Sequence, residues 1–182
     1  MPKGRNRGDE VRTAILRVRP LPGCPRRGTL AFAGRFYPCA LGRSGISRLK
    51  REGDGATPAG PLPLRAVLYR PDRGRPRSGL PLRPLRKDDG WCDASGDRNY
   101  NRPVRLPYPA SHEAMWRADG LYDIVVVLDW NLSRRLAGRG SAIFMHLARP
   151  GFAPTEGCVA LRRRDLAAIL ARLGPGARLE IG

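Results

Sequence analysis

The sequence predicts a mainly β fold, and three observations predict it. Short apolar runs rich in Val, Ile, Leu and aromatic residues recur along the chain. Glycine and proline, 22 and 18 of the 182 residues, separate these runs, and apolar runs of this length bounded by turn formers read as strands. Only one segment has the i, i+3, i+4, i+7 apolar spacing of an amphipathic helix.

Residues 1–10 are charged and without periodicity, so they read as a flexible basic tail ahead of one domain over residues 11–182. Strand-like runs follow at 13–18, 29–33, 36–41, 62–69, 121–130, 141–147 and 177–181. Ala33-Gly34-Arg35 joins two of them as a hairpin turn, because glycine takes the positive φ such a turn requires. Residues 70–87 interleave Pro71, Pro76, Pro81 and Pro84 with arginines. Proline at that density excludes a helix or a central strand, so the segment reads as a long surface loop. Five consecutive apolar residues, Ile124 to Leu128, suit a strand covered on both faces at the centre of a sheet. The helix falls at 164–173, where Leu166, Ile169, Leu170 and Leu173 share a face and Asp165 lies in the first turn. Gly174-Pro175-Gly176 stops it.

A 41% hydrophobic and 27% charged composition excludes a wholly disordered chain. No apolar run reaches the roughly 18 residues of a membrane-spanning helix, and no signal peptide is visible at the N-terminus. The net charge of +18 would attract any polyanion: nucleic acid, anionic lipid or anionic cell-wall polymer. Lys3, Lys50 and Lys87 are the only lysines, and such an arginine bias is also what GC-rich codons produce. The interleaved aromatic and basic motifs of common RNA modules are absent, so nucleic acid is not the expected partner. Cys24, Cys39, Cys92 and Cys158 form no C-x-x-C pair and no zinc motif; their spacing leaves disulfides open. Cys92 reads as a packing residue.

A thiol nucleophile requires a nearby base, because free cysteine is only a few per cent thiolate at pH 7. His146 ends an apolar strand, and Cys158 follows Gly157 after a segment broken by Pro150-Gly151 and Pro154. Those breaks let the chain fold back and bring the two side chains together on neighbouring strands. His146 could then take the thiol proton. Gly157, without a side chain, would let a substrate carbonyl approach the backbone N–H groups around Cys158. On spacing alone, Cys158 and His146 read first as buried structural residues and only second as a site.

The stretch from His146 to Thr155-Glu156-Gly157-Cys158 resembles the signature of the L,D-transpeptidase (YkuD-type) catalytic domain, in which Ser/Thr-His-Gly-Cys follows an upstream histidine. The segment Gly53-Asp54-Gly55-Ala56-Thr57-Pro58-Ala59-Gly60 is similar to a glycine-rich motif of that family. Gly90-Trp91-Cys92-Asp93 with Asn99-Tyr100-Asn101 looks like the stand-alone branch that carries Glu before Gly-Cys.

The resemblance covers about residues 12–182 and implies a β-sandwich-like domain acting on peptidoglycan stem peptides in the cell envelope. It further implies catalysis by Cys158, His146 and Gly157 without metal or organic cofactor, and 3-3 cross-links made through a thioester. Hydrolysis by an L,D-carboxypeptidase, an amidase on the same fold, and a basic nucleic-acid-binding domain are the alternatives. Expected substrate-binding residues are Thr155, Glu156, Asn99, Tyr100, Asn101 and His112, the last of which otherwise caps a helix starting near Ser111. Two departures from the family pattern stand out. Glu156 replaces its usual histidine and is expected to point away from the thiol, and Ala160 stands where the family has arginine.

Overall fold

The apolar runs pair into one large sheet in the computed structural model, which describes residues 13–182. The tail expected at 1–10 lies outside the described residues. The strands are β1 (Ile15–Leu21), β2 (Cys24–Phe32), β3 (Arg35–Ala40), β4 (Ile46–Ser47), β5 (Thr57–Pro58), β6 (Gly60–Tyr69) and β7 (Leu82–Pro84), then β8 (Asp89–Cys92), β9 (Arg102–Arg105) and β10 (His112–Ala114). The last four are β11 (Ile124–Leu128), β12 (Phe144–Leu147), β13 (Val159–Leu161) and β14 (Arg178–Ile181), with helix α1 (Arg163–Leu170) between the final two.

Nine strands form the main sheet in the order β11-β12-β13-β3-β2-β1-β14-β6-β7. β11 also pairs with β6, so the sheet folds over and is stitched to itself in a β-sandwich-like arrangement. β8, β9 and β10 make a second, three-stranded sheet. The β2–β3 hairpin turns through Ala33 and Gly34 at φ 50° and 75°, the positive values a two-residue turn needs to match strand twist.

Alternation along β11, β12 and β13 separates two cores. Ile124, Val126, Leu128, Met145, Leu147, Val159 and Leu161 face the larger one, where Leu166, Ile169 and Leu170 of α1 join them. Val125, Val127, Phe144 and Cys158 face the smaller one with Trp91, Met115 and Tyr122. Trp91 and Tyr122 meet Phe144 edge-on, with ring centroids 5.0 and 6.1 Å apart, which clamps the small sheet and the approach to β11 onto the large sheet.

Several expectations are corrected. The proline-rich stretch 70–87 contains β7, a short strand at the sheet edge, where a proline's missing N–H breaks no ladder. No helix starts near Ser111; His112 lies in β10, paired with Cys92. The helix spans Arg163–Leu170 instead of 164–173, because Arg172 and Leu173 bond back three residues to Ile169 and Leu170 and tighten the last turn. Among the described residues all four cysteines are free thiols, and no helix is long and apolar enough to cross a membrane.

Candidate active site

The nucleophile candidate is placed by a parallel strand pair. β12 and β13 run side by side with His146 opposite Ala160, so Phe144, His146, Cys158 and Ala160 share one sheet face. Cys158 Sγ donates to the Ala142 carbonyl at 3.3 Å and accepts the Phe144 N–H at 3.4 Å. Both Cys158 and His146 line a cavity of about 420 Å³.

The loop before Cys158 is built by Thr155, whose hydroxyl donates to the Cys158 carbonyl at 2.6 Å and accepts the Gly157 N–H at 3.2 Å. Gly157 has φ 139°, and a Cβ there would lie 2.8 Å from the Ala56 carbonyl oxygen and 3.2 Å from Ile143. Glycine is thus required by backbone packing; its bare face meets Ala56 and not the cavity, and its N–H is already committed. Among the described residues the Cys158 N–H has no acceptor.

That contact also explains why residues 53–60 accompany the cysteine loop. Asp54 closes their turn by accepting the Arg51 and Ala56 N–H groups at 2.7 and 2.8 Å, with Lys50 Nζ 2.5 Å away. Thr57 accepts the Gly42 N–H at 2.8 Å, and Arg43 N–H bonds the Thr155 carbonyl at 2.8 Å. Glu156 pairs with the Arg43 guanidinium, so its carboxylate is turned from the thiol as expected.

Electrostatics keep both candidate groups neutral. Burial pushes the Cys158 thiol up to about 12, the Glu113 charge pushes in the same direction, and the Phe144 N–H and Lys50 pull weakly against them. Burial, aided by Arg117 and Arg149, brings His146 down to about 4. Leu147's carbonyl, which can only accept, lies 2.9 Å from Nδ1, so Nδ1 carries the proton and Nε2 keeps its lone pair. The Tyr122 ring packs on the imidazole at 5.3 Å between centroids, and its hydroxyl donates to Glu113 at 2.5 Å.

Of the expected substrate-binding residues, Thr155 and Glu156 line the cavity. The others do not, for identifiable reasons. Asn101 is 1% exposed and spends its amide on structure, accepting from Trp91 Nε1 and the Ala142 N–H and donating to the Trp130 and Asn131 carbonyls, each at 3.0 Å. It thereby fixes the residue whose carbonyl holds Cys158 Sγ. Tyr100 donates to Glu52 at 2.5 Å, Asn99 to the Tyr108 hydroxyl at 2.9 Å, and His112 bonds the Ala110 carbonyl at 2.7 Å.

Sequence reasoning did not single out Glu52, Glu113, Arg117, Tyr122 or Arg149 as lining residues. Only for Glu52 was there a local signal, its place next to Gly53-Asp54-Gly55. Ala160, which stands where the family has arginine, lines the cavity; Arg117 and Arg149 supply guanidinium groups to the same space.

Comparisons with known proteins bear on the family of the chain. The sequence profile of the YkuD family, described as the L,D-transpeptidase catalytic domain, matches residues 26–181. No curated protein sequence matches the chain. Among solved structures it is similar to Bd1075 of Bdellovibrio bacteriovorus, with 16% identity and a TM-score of 0.45, over 93% of this chain and 47% of that one. The chain thus spans about half the length of that protein.

Proposed function

The chain belongs to the YkuD family of L,D-transpeptidase catalytic domains, and from that premise we propose that it is a cysteine L,D-transpeptidase acting on peptidoglycan stem tetrapeptides in the cell envelope. The observation that carries the reading is a thiol and a neutral imidazole with a free Nε2 on one sheet face of one cavity. With both groups neutral at rest, proton transfer accompanies attack instead of preceding it as a stored ion pair.

In the first half-reaction, His146 Nε2 takes the thiol proton as Cys158 Sγ bonds to the carbonyl carbon at the L-centre of the stem's diamino acid. The oxyanion is met by the Cys158 N–H. The imidazolium then protonates the departing D-alanine amine, leaving a thioester and a neutral histidine. In the second, the side-chain amine of another stem attacks the thioester and gives its proton to His146, which returns it to sulfur. The product is a 3-3 cross-link.

The test is incubation of the protein and its Cys158→Ala variant with disaccharide-tetrapeptide, read by mass spectrometry. Cross-linked dimers with loss of D-alanine are expected from the wild type alone. Tripeptides without dimers would make the enzyme a carboxypeptidase, and turnover by Cys158→Ala would overturn the assignment.

A further inference from the structure

A second cavity, of about 630 Å³, is lined by Arg27, Arg149, Phe152, Arg162 and Arg163. It adjoins the cavity of Cys158, because Arg149 lines both. Near the two cavities some arginines are neutralised: Arg43 pairs with Glu156, Arg117 with Asp119, and Arg163 at this groove with Asp123. Arg27, Arg149 and Arg162 supply the other guanidinium groups of this groove. Among the described residues none of the three has a carboxylate within salt-bridge distance.

Two of the three are also held in place. Arg27 donates to the Gly151 carbonyl, and the guanidinium groups of Arg27 and Arg162 lie 5.6 and 5.1 Å from the centroid of the same Phe152 ring. A carbonyl and an aromatic ring orient a guanidinium without cancelling its charge. Three like charges gathered on one groove repel one another, and a ligand with more than one negative charge relieves that repulsion.

We infer that this arginine groove binds the carboxylates of the acyl-donor peptide, on the part of the chain that precedes the carbonyl attacked by Cys158. The inference rests on the reading of the first cavity as a peptide site. A peptide whose reacting carbonyl lies at Cys158 and which leaves the cavity past Arg149 runs onto Arg27 and Arg162. The planar guanidinium fork matches a carboxylate in two-pronged fashion. A diphosphate-bearing precursor is the competing occupant.

The test uses the full chain carrying Cys158→Ala, so that peptide binds without turning over, with and without Arg27→Gln and Arg162→Gln. Calorimetric titration at low salt compares an acidic stem tetrapeptide with the same peptide in which the carboxylates upstream of the diamino acid are amidated. Removing charge-assisted hydrogen bonds is expected to weaken the acidic peptide about tenfold or more. The arginine double variant should lose the same factor and no longer distinguish the two peptides. With Cys158 intact, the double variant should raise KM and leave kcat unchanged.

Equal affinity of the wild-type groove for the acidic and amidated peptides would overturn the inference. So would inorganic pyrophosphate binding lost in the double variant while peptide affinity persists. Arg27→Gln alone, at an exposed position, provides a second variant should the pair impair folding. Arginine-dependent peptide binding without Cys158-dependent turnover would leave the groove standing and remove the transpeptidase reading.

Discussion

Two faces of the same three strands do different work. Toward α1, β11 to β13 present Val126, Met145, Leu147, Val159 and Leu161, an aliphatic wall without a polar atom in any side chain apart from one thioether. Toward the small sheet they present Val125, Val127, Phe144, His146 and Cys158, and every polar side-chain atom among these has a stated partner or faces the cavity. Because side chains alternate, adjacent residues in sequence fall on opposite sides of this division. The rigid face fixes the backbone from which the reactive face projects, so precision at Cys158 is inherited from packing on the far side.

The sharpest test is therefore a pair of neighbours. His146→Gln removes the proposed base and should lower kcat/KM by about 10²–10⁴-fold, with its fold intact by circular dichroism. Met145→Ala, one residue earlier and 0% exposed in the large core, should cost about 2–5 kcal/mol in chemical denaturation. Its kcat should stay near wild type while the protein is folded. Equal activity losses in the two variants would break the division between faces.

Asn101→Ala probes the border between them. It strips partners from the buried Trp91 and Ala142 N–H groups and from two carbonyls, so a loss of about 3 kcal/mol is expected, from unsatisfied polar groups at about 1–3 kcal/mol each. Because Ala142 holds the thiol, kcat should fall as well, although Asn101 does not line the cavity.

The recurring apolar runs made most of the large sheet legible. Each of the seven runs read as strands overlaps one, since the apolar content of 62–69 or 124–128 determines both pairing and burial. β13 is three residues long, and β8, β9 and β10 carry Gly, Pro, Arg and Glu; their strand character comes from partners that tertiary structure supplies. The same limit applies to the site. Cys158 and His146 sit twelve residues apart and announce themselves by residue type. Glu113, Tyr122 and Arg117 come from segments whose approach depends on the Trp91–Phe144 and Tyr122–Phe144 contacts, which no local pattern encodes. Asn101 was noticed for its chemistry, but whether its amide faced substrate or backbone depended on burial.

Acidification should act on the reactive face first. An unfolded histidine titrates near 6.5 and His146 in the fold near 4, so between these values the unfolded state binds a proton that the native state refuses. Stability is therefore fully present above pH 6.5 and falls as pH drops toward 4, by about 3 kcal/mol for this shift. Glu113, raised by burial, works in the opposite direction through its own protonation. Denaturation midpoints of wild type and His146→Gln across this window isolate the histidine: the variant should lack that part of the slope.

The smallest effect concerns Glu156 and separates backbone geometry from charge pairing. Its side chain is 77% exposed, and an exposed pair with Arg43 contributes about 0–1 kcal/mol. Glu156→Gln should thus leave stability and kcat/KM within about twofold of wild type, consistent with that small energy. Arg43→Ala is not its mirror image, because it leaves an unneutralised carboxylate at the mouth of the cavity two residues from a thiol already hard to ionise. Its kcat/KM should fall several-fold at low salt and recover as salt screens the charge. Adding Glu156→Gln to Arg43→Ala should restore the rate without salt. A double variant as slow as Arg43→Ala would mean that Arg43 acts through its side-chain hydrogen bond to the Gly53 carbonyl, and that the carboxylate is held off the sulfur by the turn alone.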